Sequence, residues 1–313
     1  MSEPDRLARL LRRVALGLVV LLLAVSTLSA FLRVSRAGLG CADWPACYGR
    51  ALVAQQRGEA APAEGEPVLI ARLAHRVAAS VALVLILLML AIALAQRPRA
   101  RSAVAMTALL LVLAVALAVL GRWSSAARIP AVTIGNLVGG FVMIALAWQL
   151  ARAPSSADHG QPTTALRAAF AVAFGALLVQ VALGGLVSAG YAGLACPDLR
   201  SCGAQATWRA LDPFAEPNLA GAGSGNVDGA LLQQAHRAGA VLVALLVAPL
   251  AVVAWRRGMR GRAATVLALL AVQGALGAAL VVYRLPLPLA LAHNLASAVL
   301  LAACLDLALP SRR

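Results

Sequence analysis

Leu69-Ile70-Ala71-Arg72-Leu73-Ala74-His75-Arg76-Val77-Ala78-Ala79-Ser80-Val81-Ala82-Leu83-Val84-Leu85-Ile86-Leu87-Leu88-Met89-Leu90-Ala91-Ile92-Ala93-Leu94-Ala95 is a run in which no charge follows Arg76. It is long enough as a helix to cross a hydrocarbon core of about 30 Å, which takes roughly 20 residues. Its apolar character is continuous rather than alternating, which argues against a barrel strand and for a helix. Comparable runs lie at 14–34, 103–121, 131–151, 165–188, 229–254, 263–283 and 288–308. The first, with an apolar core from Val14 to Leu32, is too long for a signal-peptide core and is expected to remain as a span. With 62% hydrophobic residues, 12% charged residues and a mean hydropathy of +0.86, the chain cannot make a water-soluble surface. The expected fold is an all-α membrane protein of eight transmembrane helices.

The eight spans divide into two related sets of four. Gly38-Leu39-Gly40-Cys41-Ala42-Asp43-Trp44-Pro45-Ala46-Cys47 returns as Gly193-Leu194-Ala195-Cys196-Pro197-Asp198-Leu199-Arg200-Ser201-Cys202, and each copy precedes an Ala-His-Arg triplet. The shift is 155 residues between Cys41 and Cys196 and 161 between His75 and His236. A period this long marks duplicated half-domains rather than a solenoid. The expected organisation is two pseudo-symmetric four-helix bundles, residues 1–152 and 165–313, joined by a polar linker at 153–164.

The formal charge of +15 comes entirely from arginine among the basic residues, and its placement follows the membrane. Arg6, Arg9, Arg12 and Arg13 precede the first span, Arg97, Arg99 and Arg101 separate spans two and three, Arg256, Arg257, Arg260 and Arg262 separate six and seven, and Arg312 and Arg313 follow the last. The positive-inside rule then makes both termini, these loops and the linker cytoplasmic, and puts the cysteine segments at 35–68 and 189–228 on the outer face. A nucleic-acid partner is not expected, because orientation accounts for the arginines.

An oxidising outer compartment permits disulfides, and Cys41 with Cys47 and Cys196 with Cys202 are the natural pairs. They read either as loop staples, each worth about 2 kcal/mol on chain-entropy grounds, or as thiols that exchange with a redox partner. Cys304 lies inside the last span and reads as a small hydrophobe.

Three of the four histidines, His75, His236 and His293, lie inside apolar spans, while His159 falls in the linker. An ionisable residue within a membrane helix is a functional candidate by default. Spans two, six and eight run in the same direction and carry these histidines within about their first two turns, so all three share one depth. Two facing helices at equal depth can clamp a haem between imidazoles. His236 and His293 complete such a pair in the second half. In the first half Ile134-Gly135-Asn136-Leu137 aligns with Ala292-His293-Asn294-Leu295, so Gly135 stands opposite His75 where a fourth histidine would be. Arg76 and Arg237 either pair with haem propionates or snorkel to the headgroups. Trp44, Trp123 and Trp208 fit an interfacial aromatic belt.

The Cys-x-Asp-Trp-Pro-x-Cys loop at 41–47, its echo at 196–202, the His-Arg pairs at 75–76 and 236–237, His293 and the two fused halves resemble the heme A synthase family over nearly the whole chain. The resemblance implies a haem b cofactor held axially by His236 and His293. It implies that the first half receives haem O, with His75 as its ligand and the catalytic residue. There the ring methyl group of haem O is oxidised to a formyl group, with water as the oxygen source, to give haem A for cytochrome oxidase. It further implies loop disulfides, with Cys41 and Cys47 nearest the substrate, and a bacterial-type inner (plasma) membrane. Lipid, haem O synthase and an electron acceptor such as quinone are the implied partners. The family pattern has four such histidines and an acidic residue three positions before the first. Here Gly135 or Asn136 fills the fourth place and Arg72 the acidic one, with Glu66 a few residues earlier. Two alternatives stand beside this reading: a non-catalytic haem-binding oxidase-assembly protein, and a membrane thiol/quinone oxidoreductase using the loop cysteines. Gly135, Gly139 and Gly140 are candidates for packing within one bundle or between protomers of a homo-oligomer.

Overall fold

A computed structural model of the chain describes residues 3–60, 63–96, 101–124, 129–152, 164–202, 207–219, 221, 223 and 225–308. Within them run α1 (Glu3–Arg36), α2 (Arg50–Gln56), α3 (Glu66–Ala95), α4 (Arg101–Ser124), α5 (Pro130–Arg152), α6 (Thr164–Ala189), α7 (Ala230–Arg256), α8 (Arg260–Val282) and α9 (Leu287–Ala308), with a 3-10 turn at Trp208–Leu211. All except α2 are long and apolar enough to cross a membrane, so the eight spans stand. Among the described residues there is no strand, only an isolated bridge between Leu219 and Asn226. His159 and nearly all of the linker lie outside the described residues.

Local chemistry sets the ends of these helices. Proline opens α3 at Pro67 and α5 at Pro130, where a missing N–H leaves no bond unmade. Past the end of α7, Gly258 adopts φ +88°, and the amides of Gly258 and Met259 bond back to Trp255 and Ala254, a Schellman closure. Helix α1 begins well before the apolar run at residue 14. Its arginine-rich first turns are good helix formers, and Leu11 and Ala15 already bury against the core.

The spans close into two rings of four. In the first, α1 packs on α3, α3 on α4, α4 on α5 and α5 on α1; in the second the cycle is α6, α7, α8, α9. Between the rings, α1 against α9 has its counterpart in α6 against α5, and α5 meets α9. That pattern is a pseudo-two-fold running between α5 and α9. Leu18, Ile86, Phe141, Ile144 and Leu301 fill the core, while Val84, Val112 and Leu245 are 63–67% exposed on the outside, as a lipid-facing surface requires.

Lipid removes most of the hydrophobic drive for helix association, so packing and polar contacts carry it. Each end of the ring interface has such a contact. At one end Arg33 of α1 donates through Nε to Ser188 Oγ of α6 at 3.1 Å and through Nη2 to Asn294 Oδ1 of α9 at 3.3 Å. At the other, Arg152 of α5 forks onto Asp306 of α9 at 3.2 and 3.3 Å, and Arg262 donates to the Asp306 carbonyl at 2.9 Å.

The two cysteine loops, on the Arg33 end, form one cap. Val34, Ala37, Leu39, Tyr48, Leu52 and Tyr191 make its buried centre, with Trp44, Leu285 and Leu287 packed against them. Its stitches cross between halves: Trp44 Nε1 donates to the Arg284 carbonyl at 3.0 Å, the Gly193 amide to Tyr48 Oη at 3.3 Å, and the Ala131 amide opening α5 to the Pro213 carbonyl at 2.8 Å. Gly38 is required here, because at φ +104° a Cβ would lie 2.6 Å from the Cys47 carbonyl oxygen.

Candidate functional site

In the second ring α7 and α9 occupy one diagonal and α6 and α8 the other. His236 is the seventh residue of α7 and His293 the seventh of α9. At 1.5 Å per residue both lie about 9 Å below the start of their helices. They therefore stand at one depth on one diagonal of the ring. His75, the tenth residue of α3, lies a turn further into its helix than the apolar run suggests, because α3 begins at Glu66. It stands in the first ring, beside Arg76.

The other diagonal supplies a support for each imidazole. Gln180 of α6 places Nε2 3.1 Å from His236 Nδ1 and donates to the His236 carbonyl at 2.9 Å. Gln273 of α8 places Nε2 3.1 Å from His293 Nε2 and bonds Ser297 Oγ, which in turn donates to the His293 carbonyl at 2.8 Å. Four residues after each glutamine comes a glycine that lets the ring approach the neighbouring backbone. A Cβ on Gly184 would lie 3.0 Å from His236 Cε1, and one on Gly277 3.3 Å from His293 Cε1. His293 Nδ1, Gln180 Oε1 and Gln273 Oε1 are buried with no hydrogen-bond partner. Buried polar atoms are ordinarily satisfied, so each of the three calls for an explanation; Gln180 Oε1 lies against Gly239 of α7. Two imidazoles at one depth on a diagonal are the kind of donor set that axial haem ligation uses, and in residue type and depth these two fit it. Among the described residues no group of three or more His, Cys, Asp or Glu converges to hold a bare metal ion; axial ligation needs only two.

The first ring differs at the matching places. Gly135 of α5 lies on the diagonal from His75, and Leu120 of α4 leans onto it: a Cβ at 135 would lie 2.8 Å from Leu120 Cδ2. Leu117 covers Gly139 in the same way, so both glycines pack within the bundle. Asn136 donates to its own helix at the Val132 carbonyl, 3.2 Å away, whereas its counterpart Asn294 binds across the rings to Arg33 and Ser26. Arg72 forms an ion pair with Glu64, and Glu66 is the first residue of α3 rather than part of the preceding loop.

Arg237 has partners of its own. Its guanidinium donates to the Leu199 carbonyl at 3.2 Å, the Asp198 carbonyl at 3.0 Å and Gln233 Oε1 at 2.7 Å. Gln233 donates in turn to the carbonyls of Ala192 and Gly193 at 3.1 and 2.7 Å. The Cys196–Cys202 loop is thereby tied to the helix turn beside His236. Both cysteine pairs are bonded, with Cα separations of 6.8 Å for Cys41–Cys47 and 4.3 Å for Cys196–Cys202. Cys304 is free and packs beside the core. Within the second loop the Ser201 hydroxyl and the amides of Ser201 and Arg200 all bond the Asp198 carboxylate, which holds it below the usual carboxylate range. Burial pushes the phenols of Tyr48 and Tyr191 above theirs. Trp208 is exposed, as a belt residue should be, while Trp44 stacks edge-on against Tyr48 at 5.4 Å inside the cap. The side chain of Trp123 lies outside the described residues.

The family model for cytochrome oxidase assembly protein, COX15-CtaA, matches residues 12–305 of this chain. A heme A synthase from Shewanella oneidensis is 30% identical over 309 residues, covering 90% of this chain and 91% of that protein. The chain belongs to the heme A synthase family. The match runs through both rings, so the histidine diagonal of the second ring and the altered diagonal of the first both lie within the family region.

Sequence reading located the histidines and cysteines of this family member but not Gln180, Gln273, Gln233, Glu64 or Arg33. A signal for the first two was present: Gln-x-x-x-Gly occurs in the sixth and eighth helices, 180–184 and 273–277, each time in an apolar run. A polar amide inside a span is a strong hint of an internal partner.

Proposed function

We propose that this protein makes haem A for cytochrome oxidase by oxidising the ring methyl group of haem O to a formyl group. The methyl carbon takes one oxygen from water, and four electrons and four protons leave to an acceptor such as membrane quinone. The observation that carries the reading is the second-ring interior, where His236 and His293 stand at one depth on one diagonal, each backed by a glutamine and a glycine. These two histidines would hold a haem b cofactor. When bound, haem b supplies one-electron redox chemistry of the kind that removal of those electrons needs. His75 is the ligand that orients haem O in the first ring, whose second ligand position is taken by Gly135 and Leu120. A substrate gripped from one side can leave once it has reacted. Arg237 ties the loop over the cofactor end, and Arg76 and the buried, unpartnered Nε of Arg237 are the groups left to meet haem carboxylates. The cysteine cap lies on the outer face of the inner membrane and both termini are cytoplasmic, in keeping with the arginine distribution.

One observation favours a second reading. Leu120 over Gly135 and the Glu64–Arg72 pair make the first ring unlike the family pattern, as expected of a member that binds haem b without completing the oxidation. Pigment analysis separates the two in a host that makes haem O, lacks its own synthase and expresses either this chain or His236→Ala. Haem A in the host, with haem b on the purified protein and lost in His236→Ala, supports the enzyme. Haem b without haem A supports the binding protein. Absence of haem b from the wild type refutes the ligand assignment.

A further inference from the structure

We infer that Gln180 and Gln273 are positioning residues that set the orientation and donor strength of the two axial histidines, an inference that rests on the ligand assignment above. Each histidine meets its glutamine through one ring nitrogen, Nδ1 in His236 and Nε2 in His293. In His236 the other nitrogen, Nε2, is the one that reaches a haem iron; in His293 a half-turn of the ring brings Nε2 to the place of Nδ1, which is buried without a partner. An imidazole that ligates iron through one nitrogen carries a proton on the other and needs an acceptor for it. The amide Nε2 cannot accept. The amide Oε1 can, and both glutamine Oε1 atoms are buried and unpartnered. A turn of each amide delivers its oxygen to the ring N–H, in exchange for the Nε2 bonds to the His236 carbonyl and to Ser297 Oγ.

Three features argue against a merely structural glutamine. The arrangement occurs twice, on α6 and α8, with the same spacing to a glycine that faces the same ring. Both glutamines occupy the diagonal between the histidines. No glutamine stands at the corresponding depth of α1 or α4, where the facing pair is His75 and Gly135. A neutral acceptor on the distal N–H pushes electron density toward the metal, so its strength tunes the potential of the bound iron.

The test is a redox titration of haem b, with electron paramagnetic resonance of the oxidised form, on detergent-purified wild type, Gln180→Leu, Gln180→Glu and the same two changes at Gln273. Loss of the acceptor in the leucine variants shifts the midpoint potential upward and changes the low-spin g-values. The carboxylate of the glutamate variants shifts the potential downward. If a glutamate variant does not accumulate, the leucine variant decides alone, since its side chain suits the span. Leucine variants with wild-type potential and g-values overturn the inference, as do leucine and glutamate shifts of the same sign. Haem b retained in His236→Ala overturns the ligand assignment itself, and with it this inference.

Discussion

Gly184→Ala tests how closely the second ring is fitted around His236. The added methyl would lie 3.0 Å from His236 Cε1 and 3.7 Å from both ring nitrogens. Non-bonded carbons are comfortable at about 3.5–4.0 Å, so the imidazole or α6 must move by roughly half an ångström. Overpacking of this kind costs about 1–3 kcal/mol, and if the ligated state bears it, haem b affinity falls roughly 5- to 150-fold. Gly→Ala in a helix also gains about 1 kcal/mol of propensity, so a control is needed on the same helix. Gly175→Ala provides it, having nothing within 4 Å of the new methyl. Gly277→Ala, 3.3 Å from His293 Cε1, is expected to fall between the two. The assay is haem b per purified chain and the rate of haem transfer to an excess of an apo-haemoprotein. If Gly184→Ala keeps its haem as firmly as Gly175→Ala, glycine is not making room for a ligand, and the geometric reasoning fails.

Gly135→His alone is expected to cost about 1–3 kcal/mol through collision with Leu120. Combined with Leu120→Ala it should recover stability and bind a second low-spin haem, read as haem per chain. Arg33→Met strands Ser188 and Asn294 at the ring interface, so the thermal midpoint in detergent should fall by the equivalent of about 1–3 kcal/mol. Ser188→Ala alone should do much less. Replacing Cys196 and Cys202 with serine should remove about 2 kcal/mol by the loop-entropy argument and loosen Arg237, measured by hydrogen exchange of the α7 N-terminus. In the same loop the folded Asp198 carboxylate titrates below its ordinary value of 3.8. Its contribution is thus complete above that value and lost as pH falls through the lower, folded one. Exchange protection of the Arg200 and Ser201 amides should be retained at neutral pH and lost in acid, and in Asp198→Asn it should be weak and independent of pH.

The spans were legible because apolar length is a one-dimensional signal, and lipid permits few alternatives to a helix. His75, His236 and His293 were legible for a related reason: an ionisable residue in an apolar run stands out against its background. The ring order was not legible, since which helices share a diagonal depends on packing between residues far apart in the chain. That order makes Gln180 and Gln273 partners of particular histidines. Arg237 shows the same gap from another side. Beside the Gln233 side chain, its acceptors are main-chain carbonyls at 198 and 199, and carbonyls carry no sequence signature. Leu120 is invisible for the opposite reason, being one leucine among many until α4 is laid against Gly135.

The cap has a consequence for how this duplicated protein can change. Trp44 is anchored on the α8–α9 turn, Tyr48 receives the amide of Gly193, and α5 is capped by Pro213. Each half thus closes with material borrowed from the other. A split at the linker would leave two fragments with unroofed ends and unsatisfied amides. A change in either cysteine loop is therefore felt at the helix ends of both halves, so neither half can be altered at its roof alone.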